Sequence, residues 1–200
     1  MKLKCLYFPI LIMMLSACSM QPQTHPVQVE VNKDVFVTLP KPAELGERLN
    51  VSQLITAQWG HAEGNKEQKL PVQLQVDQQS VVLAGFSAWG ARIISLSYSG
   101  EEIQTYVLSG LADTLPKPEQ VLFNVMISIW PVESWSAPLA QIGWSLVESD
   151  FERFLLDENG QIVASVSYQA HPYIDGIIVF KHLQLNYTIT IETSKSDTDK

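Results

Sequence analysis

The stretch GFSAWGARIISLSYSGEEIQTYVL, from Gly85 to Leu108, decides the fold. Ile94, Leu96 and Tyr98 alternate with Ser95 and Ser97. A period of two puts alternate side chains on opposite faces of a strand. Ser99-Gly100-Glu101-Glu102 interrupts the pattern, and Ile103–Leu108 follows as a second strand. Two such runs around a glycine-bearing turn form a β-hairpin. One apolar face and one polar face describe an antiparallel sheet packed on one side and wetted on the other.

The same period recurs on both sides. Val27, Val29 and Val31 alternate with Gln28 and Glu30, and Val72, Leu74 and Val76 with Gln73 and Gln75. Farther on, Leu185, Tyr187, Ile189 and Ile191 alternate with Asn186, Thr188 and Thr190. Asp77-Gln78-Gln79 separates two apolar runs. Asn159-Gly160, whose residues tolerate positive φ, joins Phe151–Leu156 to Ile162–Tyr168 as a hairpin.

Two segments leave the period. Pro118 suits a first helical turn, and Leu122, Val125, Met126 and Ile129 then recur at helical spacing until Pro131. A shorter helix is predicted over Val132–Ala140, interrupted by Pro138, and a short one near Ala43–Leu49. Strands, then helices, then strands predict a mainly β (α+β) fold: a strongly curved antiparallel sheet with helices on one face.

The first 17 residues differ from the rest. Lys2 and Lys4 precede an apolar run over Leu6–Leu15, and small residues follow. That order is an export signal. The run is too short for a permanent span, which needs about 20 residues. Leu15-Ser16-Ala17-Cys18 resembles the lipobox of bacterial lipoproteins. The resemblance implies cleavage before Cys18 and acylation of its thiol, giving an outer-membrane lipid as one partner. Ser19 after the cysteine points, by the same resemblance, to the outer membrane. Removal of residues 1–17 takes two lysines, so the formal charge moves from −8 to −10. Cys5 leaves with the signal and Cys18 is consumed, so the mature chain has no thiol for a disulfide or a metal. Residues 18–26 read as a lipidated N-terminus and tether, 27–193 as one domain, and 194–200 as a disordered tail.

Negative charge argues against nucleic acid, which needs basic patches. No strong catalytic motif stands out. Gly85-Phe86-Ser87-Ala88-Trp89-Gly90 places its second glycine one residue late for G-x-S-x-G, and strands flank it on both sides. His25, His61, His171 and His182 lack zinc spacing. No cofactor, metal site or catalytic residue is expected, and the chain is read as a non-enzyme. Trp59, Trp130, Trp135 and Trp144 suit core packing. Trp89 occupies a hairpin tip with little core to fill, and suits contact with a membrane or a partner.

The Gly85–Leu108 segment is similar to a strand–turn–strand segment of the outer-membrane lipoprotein receptor LolB. VLFNVMISIWPVESWSAPL, from Val121 to Leu139, is similar to the helical segment of that family. ENGQIVASVSY and LQLNYTITI resemble its later strands. The chain as a whole resembles a family of uncharacterised bacterial outer-membrane lipoproteins associated with aryl-polyene biosynthesis clusters. The resemblance covers most of residues 45–192. It implies a LolA/LolB-like incomplete β-barrel with a helical lid and an apolar cavity for acyl chains. Ala88-Trp89 stands where the LolB turn carries Pro-Leu.

The expected cavity residues are Ile94, Leu96 and Tyr98 from the sheet, and Leu122, Val125, Met126 and Ile129 from the lid. These residues equally suit a filled dry core. The expected function is binding of a hydrophobic ligand (an acyl chain, a lipoprotein or a polyene lipid) for transport or insertion at the periplasmic face of the outer membrane. A periplasmic carrier protein is an expected partner. The alternatives are an assembly lipoprotein docking a protein through Trp89, and a lipid hydrolase using Ser87 or His171.

Overall fold

The computed structural model describes residues 26–59, 66–111 and 117–199. The expected signal segment, Cys18 and most of the tether lie outside these residues. So do His25 and His61.

An N-terminal hairpin pairs β1 (Gln28–Asn32) with β2 (Val35–Thr38). The first half of the main sheet comprises β3 (Arg48–Trp59), β4 (Lys66–Val76), β5 (Val81–Phe86), β6 (Arg92–Tyr98) and β7 (Ile103–Val107). Two helices follow, α1 (Pro118–Ile129) and α2 (Val132–Ala140). The second half comprises β8 (Ser145–Ser149), β9 (Glu152–Leu156), β10 (Ile162–Tyr168), β11 (Ile177–His182) and β12 (Tyr187–Asp199). Each half is an antiparallel meander. The spatial order is β7-β6-β5-β4-β3-β12-β11-β10-β9-β8, so pairing of β3 with β12 joins the halves.

The sheet is curled but not closed, because β7 and β8 each pair on one side only. Five strand spacings separate β6 from β11, roughly 24 Å if the sheet were flat. Yet α1 packs against both strands. A helix is only about 10–12 Å across, so the sheet wraps around it. Leu122 through Ser128 are all buried, and β1 packs on α1 as well. From Leu122 to Ser128 the helix is thus enclosed by the sheet and the N-terminal hairpin. Of its two buried polar residues, Ser128 donates from Oγ to the Asn124 carbonyl at 2.6 Å, and Asn124 Oδ1 accepts from Tyr187 on β12.

The C-terminal end of α1 is fastened by the sheet. A helix leaves its last carbonyls without intrahelical donors. Arg153, 2% exposed, donates from Nη1 to the carbonyls of Ile127 (3.0 Å) and Trp130 (2.7 Å). Tyr168 donates from its hydroxyl to the Ser128 carbonyl at 2.7 Å. The guanidinium also pairs with Glu148 and lies over the rings of Tyr168 and Tyr173. A cation at the negative end of a helix is favourable. The connection from β2 to β3 is held similarly. Tyr98 donates to the carbonyls of Leu39 and Pro40, and Trp130 Nε1 donates to that of Lys41.

His182 pins the N-terminal hairpin. Its Nδ1 accepts the Leu185 N–H at 3.1 Å, so the proton sits on Nε2, which donates to the Val31 carbonyl at 3.0 Å. Burial holds its pKa below the ordinary histidine value.

Two local expectations are corrected. The short helix near 43–49 is a 3-10 turn over Pro42–Leu45, because Gly46 turns at φ +84° and the backbone from Arg48 enters β3. The tail expected to be disordered from 194 is drawn into the sheet as far as Asp199, opposite Arg48. The long strand β3 offers that backbone partners all along its length.

Arg153→Met should cost about 3 kcal/mol, because two buried carbonyls lose their donor and Glu148 loses its partner; urea unfolding of the full chain measures it. For His182 the unfolded chain binds the proton first as pH falls. Its contribution is complete above about pH 6.5 and is lost as pH falls below that value. Glu67 and Asp77, whose pKa values are lowered from 4.5 and 3.8, lose theirs only at more acid pH. Thermal melts should therefore drop between about pH 6.5 and 5, and His182→Gln should flatten that slope.

Candidate ligand cavity

A cavity of about 480 Å³ lies between the concave face of the sheet and the N-terminal half of α1. Register explains its floor. Along β3 the odd-numbered residues face inward, which brings Ile55, Ala57 and Trp59 to the cavity. Ala57 faces Ile189 on β12, and Trp59 faces Tyr187. On the other side Ile55 pairs with Leu70 and Ala57 with Gln68 of β4. Leu83 and Ile94 complete the floor, and Gln120, Val121, Asn124 and Val125 of α1 form the opposite wall. Lys66 and Gln68 give the cavity a polar rim. Its volume lies within the usual range for small-molecule sites, and its lining is mainly apolar.

Gly85 shapes this floor. A Cβ there would sit 2.5 Å from Ile94 Cγ2 and 2.7 Å from Leu70 Cδ2, closer than real Cβ contacts. The missing side chain lets two cavity residues close over the end of β5.

Polar groups in the cavity form one chain of hydrogen bonds. Gln120 Nε2 donates to the Tyr187 hydroxyl at 3.5 Å, and that hydroxyl donates to Asn124 Oδ1 at 3.1 Å. Burial raises the Tyr187 pKa to about 12, so the phenol stays protonated at neutral pH. Two other depressions, beside the Asp77 turn and beside Phe151, are more open to solvent and hold no comparable apolar floor.

Of the expected cavity residues, Ile94 and Val125 line it. Leu96, Tyr98, Leu122 and Met126 are buried in the core instead, and Ile129 packs half-buried against it. The reason is position on each element. On β6 the cavity lies at the Arg92 end, so Leu96 and Tyr98 fall beyond it; on α1 the cavity takes the face of Gln120, Val121, Asn124 and Val125, and Leu122, Met126 and Ile129 lie on the neighbouring row. Ile55, Ala57, Trp59, Leu70, Tyr187, Ile189 and the polar pair Gln120–Asn124 were not expected there. The alternation from Leu185 to Ile191 carried the signal for Tyr187 and Ile189.

Trp89 is 94% exposed at the turn between β5 and β6. The turn itself is well made. The Ser87 N–H donates to the Ala91 carbonyl, Ser87 Oγ accepts the Ala91 N–H at 3.1 Å, and Gly90 adopts φ +78°. Ser87 is thus committed to holding the turn. His171 binds the Asp150 carbonyl and lies against the rings of Phe151 and Tyr173. Trp130, Trp135 and Trp144 are buried, while Trp59 lines the cavity. The Trp89 turn stands at the same end of the sheet as the cavity: β5 ends opposite Leu70–Val72, and Leu70, Gln68 and Lys66 continue past it. Among the described residues, no cluster of His, Cys, Asp and Glu could hold a metal ion, and no helix is long and apolar enough to cross a membrane.

The chain belongs to a family of proteins of unknown function, DUF3261, whose model matches residues 50–195. That span runs from β3 into β12 and so contains the whole cavity. No curated protein matches it in sequence. Among solved structures it is similar to a LolA superfamily protein from Nitrosomonas europaea, at 9% identity and TM-score 0.45, over 82% of this chain and 95% of that one. It is also similar to a domain described as an outer membrane lipoprotein-sorting protein from Vibrio parahaemolyticus. That match has 9% identity and TM-score 0.32, over 76% of this chain and 86% of the other.

Gly85→Ala should push Leu70 and Ile94 into the cavity. Overpacking of this kind costs about 1–3 kcal/mol. Binding of the neutral fluorophore 1-N-phenylnaphthylamine should weaken severalfold while circular dichroism keeps its β signal.

Proposed function

We propose that this DUF3261 protein binds a hydrophobic ligand in the cavity between α1 and the sheet, for transport or insertion at the periplasmic face of the outer membrane. The observation that carries this is a mainly apolar cavity of about 480 Å³, lined from the end of the sheet where Trp89 stands 94% exposed. Burial of apolar surface contributes about 25 cal/mol per Å², so a hydrocarbon chain binds there with few polar contacts. Candidate ligands are a free acyl chain, the acyl chain of a lipoprotein, or a polyene lipid. The last follows from the resemblance to lipoproteins of aryl-polyene clusters. The curled sheet acts as an incomplete barrel, and the first turns of α1 act as one wall of the site.

The lipobox supports attachment through acylated Cys18. A triacylated cysteine carries several chains, where a single chain gives only marginal attachment. The anchor sets location, and the cavity holds the cargo. Trp89 suits the membrane interface, because an indole has an apolar body and one polar N–H. A periplasmic carrier meeting the same turn would hand over a ligand at the cavity mouth. An assembly role, with Trp89 docking a protein, draws on the same exposure.

Purified full-length protein should bind a fluorescent fatty acid saturably, and Val125→Trp should abolish binding with the fold intact. Non-saturable binding would sink the cavity reading. A photo-crosslinker at position 89 should yield lipid adducts on membranes; protein adducts alone would favour the assembly role. Cys18→Ser should remove incorporation of labelled palmitate in cells.

A further inference from the structure

On the premise that the cavity takes an acyl chain, the proposed function on which this inference rests, its lining carries a chemical bias beyond the apolar floor. Asn124 lines the cavity and is 3% exposed. Its Oδ1 accepts the Tyr187 hydroxyl, which is itself held by Gln120. Among the described residues, Asn124 Nδ2 makes no hydrogen bond. The relay therefore uses the acceptor of the amide and leaves its two donors over. Hydrogen bonds in series polarise one another, which makes Nδ2 a better donor. Nδ2 is not one of the buried atoms left without a partner, so it is accessible from the cavity and can donate to an acceptor that enters there.

The geometry points to a single-chain acyl ligand whose neutral carbonyl oxygen, of an ester or an amide, accepts from Asn124 Nδ2. Volume sets the chain number. A methylene takes up somewhat less space than a liquid water, whose share is about 30 Å³, so 480 Å³ corresponds to roughly one sixteen-carbon chain. Charge sets the head. The one cationic side chain of the lining, Lys66, is exposed at the rim. A carboxylate buried beside Asn124 would have no ion partner, and burying an unpaired charge is costly. A neutral carbonyl meets the donors without that cost. An ether oxygen is a weaker acceptor than a carbonyl, and an alkane offers none.

The test displaces 1-N-phenylnaphthylamine from the full-length protein with two lipids differing by one oxygen, 1-monopalmitin and 1-O-hexadecylglycerol. The ester should bind about fivefold tighter, as expected for one neutral hydrogen bond. Palmitate at pH 8 should bind more weakly than the ester. N-palmitoylethanolamine is the amide arm: a tighter amide indicates an N-acylated peptide source, a tighter ester a glycerolipid source, and either result supports the carbonyl. Asn124→Leu, close in size, should bring the ester-to-ether ratio to about one with probe binding kept. Tyr187→Phe, which keeps the ring and releases Oδ1, should lower the ratio without unfolding. Equal affinities for ester and ether in the unaltered protein, or an unchanged ratio in both variants, would overturn the inference and leave the apolar cavity standing. Failure of the probe to bind at all would overturn the cavity reading and this inference with it.

Discussion

The pairing of β3 with β12 holds the molecule together. Every other neighbour in the ten-strand sheet is next to its partner in sequence. These two strands alone join the meander before the helices to the one after them. Their ladder runs from Tyr187 opposite Trp59 to Asp199 opposite Arg48. Only with the halves joined can the sheet curl far enough for β6 and β11 both to touch α1. The cavity sits at one end of this seam, with Ala57 against Ile189 and Trp59 against Tyr187 as its floor. The joint and the binding surface are thus made of the same residues.

The two ends of α1 are treated differently. Its C-terminal carbonyls are taken by Arg153 and Tyr168, and its middle is buried by the sheet and the N-terminal hairpin. Its first turns carry Gln120, Val121, Asn124 and Val125 along open volume. Interiors normally pack to crystal density. A gap of this size persists because the far end of the helix is fixed and cannot slide to fill it. Gly85 helps to set where the packed core stops, by bringing Leu70 and Ile94 together above the end of β5.

Local features of the sequence carried most of the elements. Glycine and asparagine turns placed the hairpins, and Pro118 and Pro131 placed the limits of α1. Strict alternation marked β4, β6 and β12. Strand β3 was hidden because Gln53 breaks its inward apolar series and Thr56 is buried on the other face. Asn124 and Ser128 are polar yet buried in α1, because Asn124 accepts from Tyr187 on β12 and Ser128 donates back to the Asn124 carbonyl, which no spacing rule reports. The seam is a long-range choice with no local mark, so the floor residues it supplies from β3 were not expected. Ile94 and Val125 line the cavity because they lie where helix and sheet face each other across it.

The seam also bears on how the chain reaches this state. Neighbouring strands of each meander can close within short loops, at little entropic cost. The joint between the halves brings together partners as distant as Arg48 and Asp199. Long-range pairings of this kind slow folding, since loop entropy is lost before contacts repay it. Each half on its own exposes the inward apolar row that later becomes the cavity floor. Until β12 zips onto β3, that surface is open to any passing apolar group. The interval before closure is therefore when the chain is most exposed to aggregation, and the surface that would misassemble is the one that binds cargo afterwards.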